Sequence, residues 1–346
     1  MSASQFLHSR FKNRFSFSDT LRIFSYLLLI GIPLQPLKAG ESIAVDSLSI
    51  DPMNLSGMII QDNWMAIVSD ESNQIAILKR EQHTWRQSHL INLSDQADEI
   101  DLEALGFDAP YLYALGSHSS KRSRLKERLT QNKNRQRQQQ RSDEPARKQL
   151  FRVHINPNLK AGKIESISLQ SLIEQDPVVG LFSKIPSKEN GVDLEGLSLD
   201  QKGRLLIGFR GPVLRGNMTP VLRLKLEKST FKVKKSKWLW LDLEGRGLRG
   251  MSPLDAGIGG QLLLAGPVGD QSVDYGIYYW DESDQLTGKD RDDKGLRLIC
   301  NLSPNQGKPE SIQFIGRQQK QIDFFILHDG IRGGGLSRRS CPFPMP

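Results

Sequence analysis

Residues 193–197 read Asp193-Leu194-Glu195-Gly196-Leu197, and after a polar loop come the apolar run Leu205-Leu206-Ile207-Gly208-Phe209 and the turn Arg210-Gly211-Pro212. A short strand opening on acidic residues, followed by a second that closes on a glycine-bearing turn, is a hairpin signal. The same order recurs along the chain. Leu55-Ser56-Gly57-Met58, Asp101-Leu102-Glu103-Ala104-Leu105, Arg249-Gly250-Met251 and Pro309-Glu310-Ser311-Ile312 open the other copies. Their second strands are expected at residues 64–68, 111–115, 262–265 and 322–327, each ending in a polar or glycine-rich turn.

Measured from Gly57, Ala104, Gly196, Met251 and Ser311, the copies are 47, 92, 55 and 60 residues apart, and removing a 28-residue basic insertion shortens the long step to 64. Such spacing suits four-stranded propeller blades of about 40 to 50 residues plus loops, and suits solenoid repeats of about 20 to 35 residues less well. Apolar runs at residues 74–78, 150–155, 221–226 and 276–280 supply further strands, and Phe151, Val153 and Ile155 alternate as in a strand packed on one face. The expectation is an all-β chain forming a β-propeller of five or six four-stranded blades. A degenerate sixth copy would lie at residues 156–190, where a helical pattern at 169–182 interrupts it. After Asp329 the chain is rich in Gly and Pro, so Ile43, Val45, Leu48 and Ile50 are expected to complete the last blade and close the ring.

In an antiparallel hairpin the start of one strand and the end of the next share an end. First strands line the channel of a propeller, so the acidic strand starts and the following turns should meet at its mouth. That places Glu103, Glu195 and Glu310 as candidate metal ligands, with Asp70, Asp101, Asp193, Arg249 and Asp329 as candidate ligand-binding residues. His118 and Arg210 are the candidate catalytic pair. Converging carboxylates repel one another, and a divalent cation, calcium first among them, would relieve the repulsion. The alternatives stay open: the acidic residues can instead hold backbone donors of a neighbouring blade, and His118 can simply bond a turn. Trp238 and Trp240 alternate on an expected strand and read as packing.

Charge places the remaining segments. The chain has 346 residues and a formal charge of +8, and residues 121–148 alone carry eleven Lys/Arg against three Asp/Glu. That stretch has no aromatic residue and reads as a disordered or frayed-helical basic insertion, either a solvated loop or a docking site for a polyanion or an anionic membrane surface. Specific nucleic-acid binding would need stacking aromatics or a recognisable module. Arg10, Lys12, Arg14 and Arg22 precede an apolar run at residues 23–34, so 1–39 reads as a signal peptide and the mature chain as periplasmic or extracellular. The propeller is then expected at 40–330, followed by a Gly/Pro-rich tail at 331–346, with no transmembrane segment in the mature chain. Cys300 and Cys341 either bridge or remain one buried and one exposed thiol.

The segments 191–197, 206–213, 241–249 and 308–312, with their Arg-Gly-Pro and Gly-Arg-Gly-x-x-Arg motifs, resemble a bacterial family of unknown function, domain-of-unknown-function family 3616. That family is similar, more distantly, to esterase-like phytase and calcium-dependent lactonase propellers, which also carry acidic-Glu-Gly strand starts. The resemblance covers roughly residues 55 to 330; Ala104 and Ser311 depart from it where glycine is usual. Two functions follow. One is a secreted propeller that binds a small ligand or a protein partner at the channel mouth. The other is a metal-dependent hydrolase of phosphate-ester, ester or lactone substrates, with the glutamates holding the ion, His118 moving a proton and Arg210 binding the anion. The chain has no Gly-x-Ser-x-Gly elbow and no His-Glu-x-x-His helix, so serine-hydrolase and zincin chemistry have no local support.

Overall fold

Met65, Ala66, Ile67 and Val68 are all fully buried, yet successive side chains belong to different cores. Met65 and Ile67 pack with Leu327 and Leu336, whereas Ala66 and Val68 pack with Leu102 and Leu112. Side chains alternate between the two faces of a strand, so a strand apolar on both faces must be sandwiched between two neighbouring sheets. The same division recurs in Leu262 and Leu264 against Leu263 and Ala265. The result is five apolar clusters, one between each pair of adjacent sheets.

The computed structural model describes residues 42–95, 98–255, 257–269, 271, 273–286, 295–302, 307–332 and 335–343. Its strands form five blades, built on the inner strands Leu55–Gln61, Leu102–Asp108, Asp193–Leu199, Gly247–Pro253 and Lys308–Gln318. Each inner strand pairs antiparallel with the next strand in sequence and touches the inner strands on both sides, the fifth against the first. The ring is therefore a five-bladed β-propeller, the lower of the two blade numbers expected. Residues 156–190 do not form a sixth blade. Ala161–Ile167 is the outer strand of blade 2, and the rest coils into the short helix Gln170–Glu174 and the 3-10 turns Val179–Phe182 and Ser187–Glu189.

Closure uses both ends of the described chain. Ser42–Ile43 pairs with Gly335–Pro342 as the outermost strand of blade 5, while Val45–Asp46 runs parallel to Thr84–Asn92 of blade 1. The stretch expected to be a loose tail is thus largely strand: Gly335–Pro342 is the third strand of blade 5, paired along its length with Gln321–Asp329. Cys300 and Cys341 form a disulfide that ties the outer strand of blade 4 to this one. Blade 5 is consequently pinned to blade 4 by a covalent bond and to blade 1 by the amino-terminal strands.

The basic insertion carries a short strand pair and one α-helix. Lys121–Arg122 pairs with Arg141–Ser142, and between them runs the helix Gln131–Gln139, capped by Thr130, whose hydroxyl accepts from the Lys133 N–H at 3.4 Å. The root of the segment turns inward. Arg147 is only 1 % exposed and ion-pairs with Glu99, Asp101 and Glu144, and Lys148 is buried against Asp143. A run that is polar by composition is held in place by two buried cations that keep carboxylate partners. The expected signal peptide at 1–39 lies outside the described residues.

Candidate functional site

At the mouth end of every inner strand the pairing slips by one residue. Leu55 and Gly57 oppose Ser69 and Val68, leaving Ser56 unpaired between them; Glu103, Glu195, Arg249 and Glu310 are skipped in the same way in the other blades. Such a bulge twists the strand and re-aims its extra side chain. Five bulges at equivalent positions thus present Ser56, Glu103, Glu195, Arg249 and Glu310 as one ring around the axis. The residue after each bulge is small: Gly57, Ala104, Gly196, Gly250 and Ser311. At Gly57 a Cβ would stand 2.9 Å from the Ala104 Cα, because the inner strands crowd together there. The fourth copy is therefore aligned at Gly250, one residue before the Met251 used to space the repeats.

The ring's charges are unevenly answered. Arg249 bridges Glu195, 3.4 Å from its Oε2, and Glu310 on the next blade, and it also donates to the Pro267 carbonyl at 3.0 Å. Arg210, from the end of the second strand of blade 3, pairs with Asp193 and, at 2.6 Å, with Glu195. Asp101 sits beside blade 2's bulge with φ +56°, a left-handed conformation that Asp tolerates, and is neutralised by Arg147. Glu103 has no ion pair among the described residues. One oxygen each from Glu103, Asp193 and Glu195 lie within 4.8 Å of one another. Glu195 is 3 % exposed, and its Oε2 has no hydrogen-bond partner.

Proton affinities follow from this crowding. Burial, then the neighbouring carboxylates Glu195, Asp101, Asp193 and Asp70, push Glu103 well above the usual range. Burial raises Asp193 to about 7 against the pull of Arg210, and raises Glu310 to about 7 against that of Arg249. Asp70, at the rim, is also raised to about 7 by burial and by Asp101, Glu71, Asp329 and Glu310, and its Oδ1 is buried without a partner. Burial alone would lower Arg210 and Arg249, but their carboxylates hold both cations firmly charged.

The family model for protein of unknown function DUF3616 matches residues 54–338. The chain belongs to this family. No curated protein matches the DUF3616 chain at a significant level. Three solved structures are similar to it at low identity. An endo-arabinase from Bacteroides thetaiotaomicron is 10 % identical with a TM-score of 0.41, over 88 % of this chain and 99 % of that one. A PQQ-bound aldose sugar dehydrogenase from Streptomyces coelicolor is 10 % identical with a TM-score of 0.41, over 88 % and 97 %. A protein assigned as a 6-phosphogluconolactonase from Bacteroides uniformis is 9 % identical with a TM-score of 0.38, over 87 % and 75 %. None of the three bears on what the DUF3616 chain does.

Several expected roles change with the geometry. Glu103 and Glu195 meet, but the third carboxylate beside them is Asp193; Glu310 is paired with Arg249. Arg210, the expected anion binder, and Arg249, an expected ligand-binding residue, both have guanidiniums paired with carboxylates. Asp329 stands at the rim, 3.5 Å from Lys308. His118 is 4 % exposed; its Nδ1–H donates to the Gly116 carbonyl at 2.9 Å and its Nε2 accepts the Leu169 N–H at 3.2 Å. Both nitrogens are spent on backbone and burial depresses the ring to about 4, so in this geometry the histidine holds a turn. Arg147, which sequence reading missed, neutralises Asp101 from 46 residues away, a pairing with no local signal.

Proposed function

We propose that this propeller binds a divalent cation, calcium by preference, at Glu103, Asp193 and Glu195, and that the cation holds a ligand at the channel mouth. The observation that carries the reading is the pairing pattern among the described residues: every other carboxylate of the inner ring has an arginine, Glu103 has none, and Glu195 Oε2 lacks a hydrogen-bond partner. Oxygens on opposite sides of a calcium ion are about 4.6–5.2 Å apart, so a trio within 4.8 Å suits one ion with little movement. An all-oxygen donor set selects hard cations. The disulfide supports a compartment outside the cytoplasm, the periplasm or the extracellular space. Titrating the protein with calcium, and separately with magnesium, while following thermal unfolding tests the site. A saturable rise with calcium that vanishes in Glu103→Gln is expected; no rise with either ion rejects the reading.

A hydrolytic version has one specific support. Asp70 is partly exposed at the rim and raised to about 7, so it exchanges a proton near neutrality in the role His118 does not fill. Phosphate-ester, lactone and acyl-ester panels, with and without calcium, separate the two: turnover that requires calcium and is lost in Asp70→Asn makes the protein a hydrolase, and binding without turnover leaves it a ligand-holding module.

A further inference from the structure

Strands of a blade alternate in direction, so the segments after every second strand and before every first strand emerge on the mouth face. Two insertions do so side by side: the basic lobe at 121–148 and the coiled segment at 168–192. They are tied together. Ser120 bridges to Pro186, the Ser187 N–H donates to the Ser120 carbonyl at 3.0 Å, and Arg122 pairs with Glu189. Beyond this root, Arg124, Lys126, Arg128, Lys133 and Arg135 are all exposed, with no carboxylate partner among the described residues. Glu127 is the single acid between residues 123 and 142. The helix Gln131–Gln139 has no buried residue and no apolar one. Two large apolar side chains are exposed on the joined segments, Leu125 at 51 % within the lobe and Leu181 at 75 % on the turn Val179–Phe182 of the coiled segment.

We infer that the joined insertions form a docking surface for an anionic phospholipid membrane, with the lobe's cations meeting the phosphate headgroups and Leu125 and Leu181 entering the interfacial layer. Several alternatives fit less well. A single-stranded nucleic acid is held by stacking as well as charge, and the lobe has no aromatic residue. A soluble polyanion would use the cations but leave both leucines in water. Clustered Lys and Arg beside a few exposed apolar side chains is the pattern by which proteins dock on an anionic leaflet without spanning it. Asp101, Asp193, Glu195 and Glu310 at the mouth do not cancel this field, because Arg147, Arg210 and Arg249 answer them while the lobe's cations face outward. Docking would hold the channel mouth against the membrane. The inference is independent of the cation site, since none of these residues touches it.

Co-sedimentation of the full chain with vesicles of phosphatidylcholine alone, or of phosphatidylcholine with phosphatidylglycerol, tests it, with residues 1–39 retained in every variant. Wild-type protein should partition about tenfold or more onto the anionic vesicles, an advantage that fades in high salt. Replacing Arg124, Lys126, Arg128, Lys133 and Arg135 by Gln should remove it, and Leu181→Ser should weaken binding severalfold while both variants unfold at the wild-type temperature. Equal partition onto the two vesicle types overturns the inference. So does a five-Gln variant that still prefers the anionic ones, or capture by heparin or oligonucleotide with no binding to phosphatidylglycerol.

Discussion

Glu103 and Glu195 occupy the same bulge on adjacent inner strands, yet only Glu195 is met by arginines, Arg210 at 2.6 Å and Arg249 at 3.4 Å. Identical chemistry in equivalent places therefore carries opposite energetic weight. Glu103→Gln removes an unanswered carboxylate, so the cation-free protein should gain about 1–3 kcal/mol while calcium binding is lost. Glu195→Gln strips a shared partner from two buried guanidiniums and should cost about 2–4 kcal/mol. Denaturant unfolding of both variants without metal gives the signs directly, and two changes of the same sign would contradict the assignment.

Cation binding should be strongly pH-dependent. Asp193 titrates at about 7 and Glu103 well above its ordinary value, so the cation-free site is partly protonated at neutrality and binding must expel those protons. Affinity should rise with pH through about 7 and fall by roughly tenfold for each proton and each pH unit below it. Calorimetry in buffers of different ionisation heat would register the released protons. An affinity constant across this range would exclude Asp193 and Glu103 as ligands.

His118→Ala separates a packing histidine from a proton carrier. It leaves the Gly116 carbonyl and the Leu169 N–H without their partner and opens a cavity, a loss of about 2–4 kcal/mol. Calcium affinity should not change. His118 is held neutral down to about 4, so its stabilising contribution is full above 6.5 and disappears as pH falls through about 4. A variant of normal stability with altered cation binding would return His118 to the site.

Arg147 fastens the basic lobe to the propeller. Arg147→Met keeps the side-chain bulk but leaves the buried Asp101 unanswered and Glu99 with Lys121 alone, and should cost about 3–5 kcal/mol. Protease cleavage within 121–146 should accelerate. A lobe as resistant as in wild type would show that other contacts hold it.

The Cys300–Cys341 bridge closes a separation of 41 residues, for which chain entropy predicts about 4 kcal/mol of stabilisation. The double Ser variant should unfold at correspondingly lower denaturant, with blade 5 losing amide-exchange protection before the other blades. Uniform loss of protection across the ring would place the bridge's effect elsewhere.

The amino-acid sequence by itself determined the all-β propeller architecture, because continuous apolar runs such as 64–68 and 262–265, bounded by turns, suit strands buried on both faces, and their spacing narrows the ring to five or six blades. It also determined which residues reach the mouth, since strand direction alone puts Glu103, Asp193, Glu195 and Arg249 at one end. Tertiary structure alone decided which of those carboxylates stays free. Ion pairing depends on distances of a few ångströms between groups far apart in the chain, such as Arg147 with Asp101 or Arg249 with Glu310. No spacing rule records that Asp193 replaces Glu310 beside Glu103, that His118 spends both nitrogens on backbone, or that residues 335–342 leave the tail to complete a blade. Local pattern specifies the strand because it is set by neighbours in sequence; the charge balance of the mouth is set by neighbours in space.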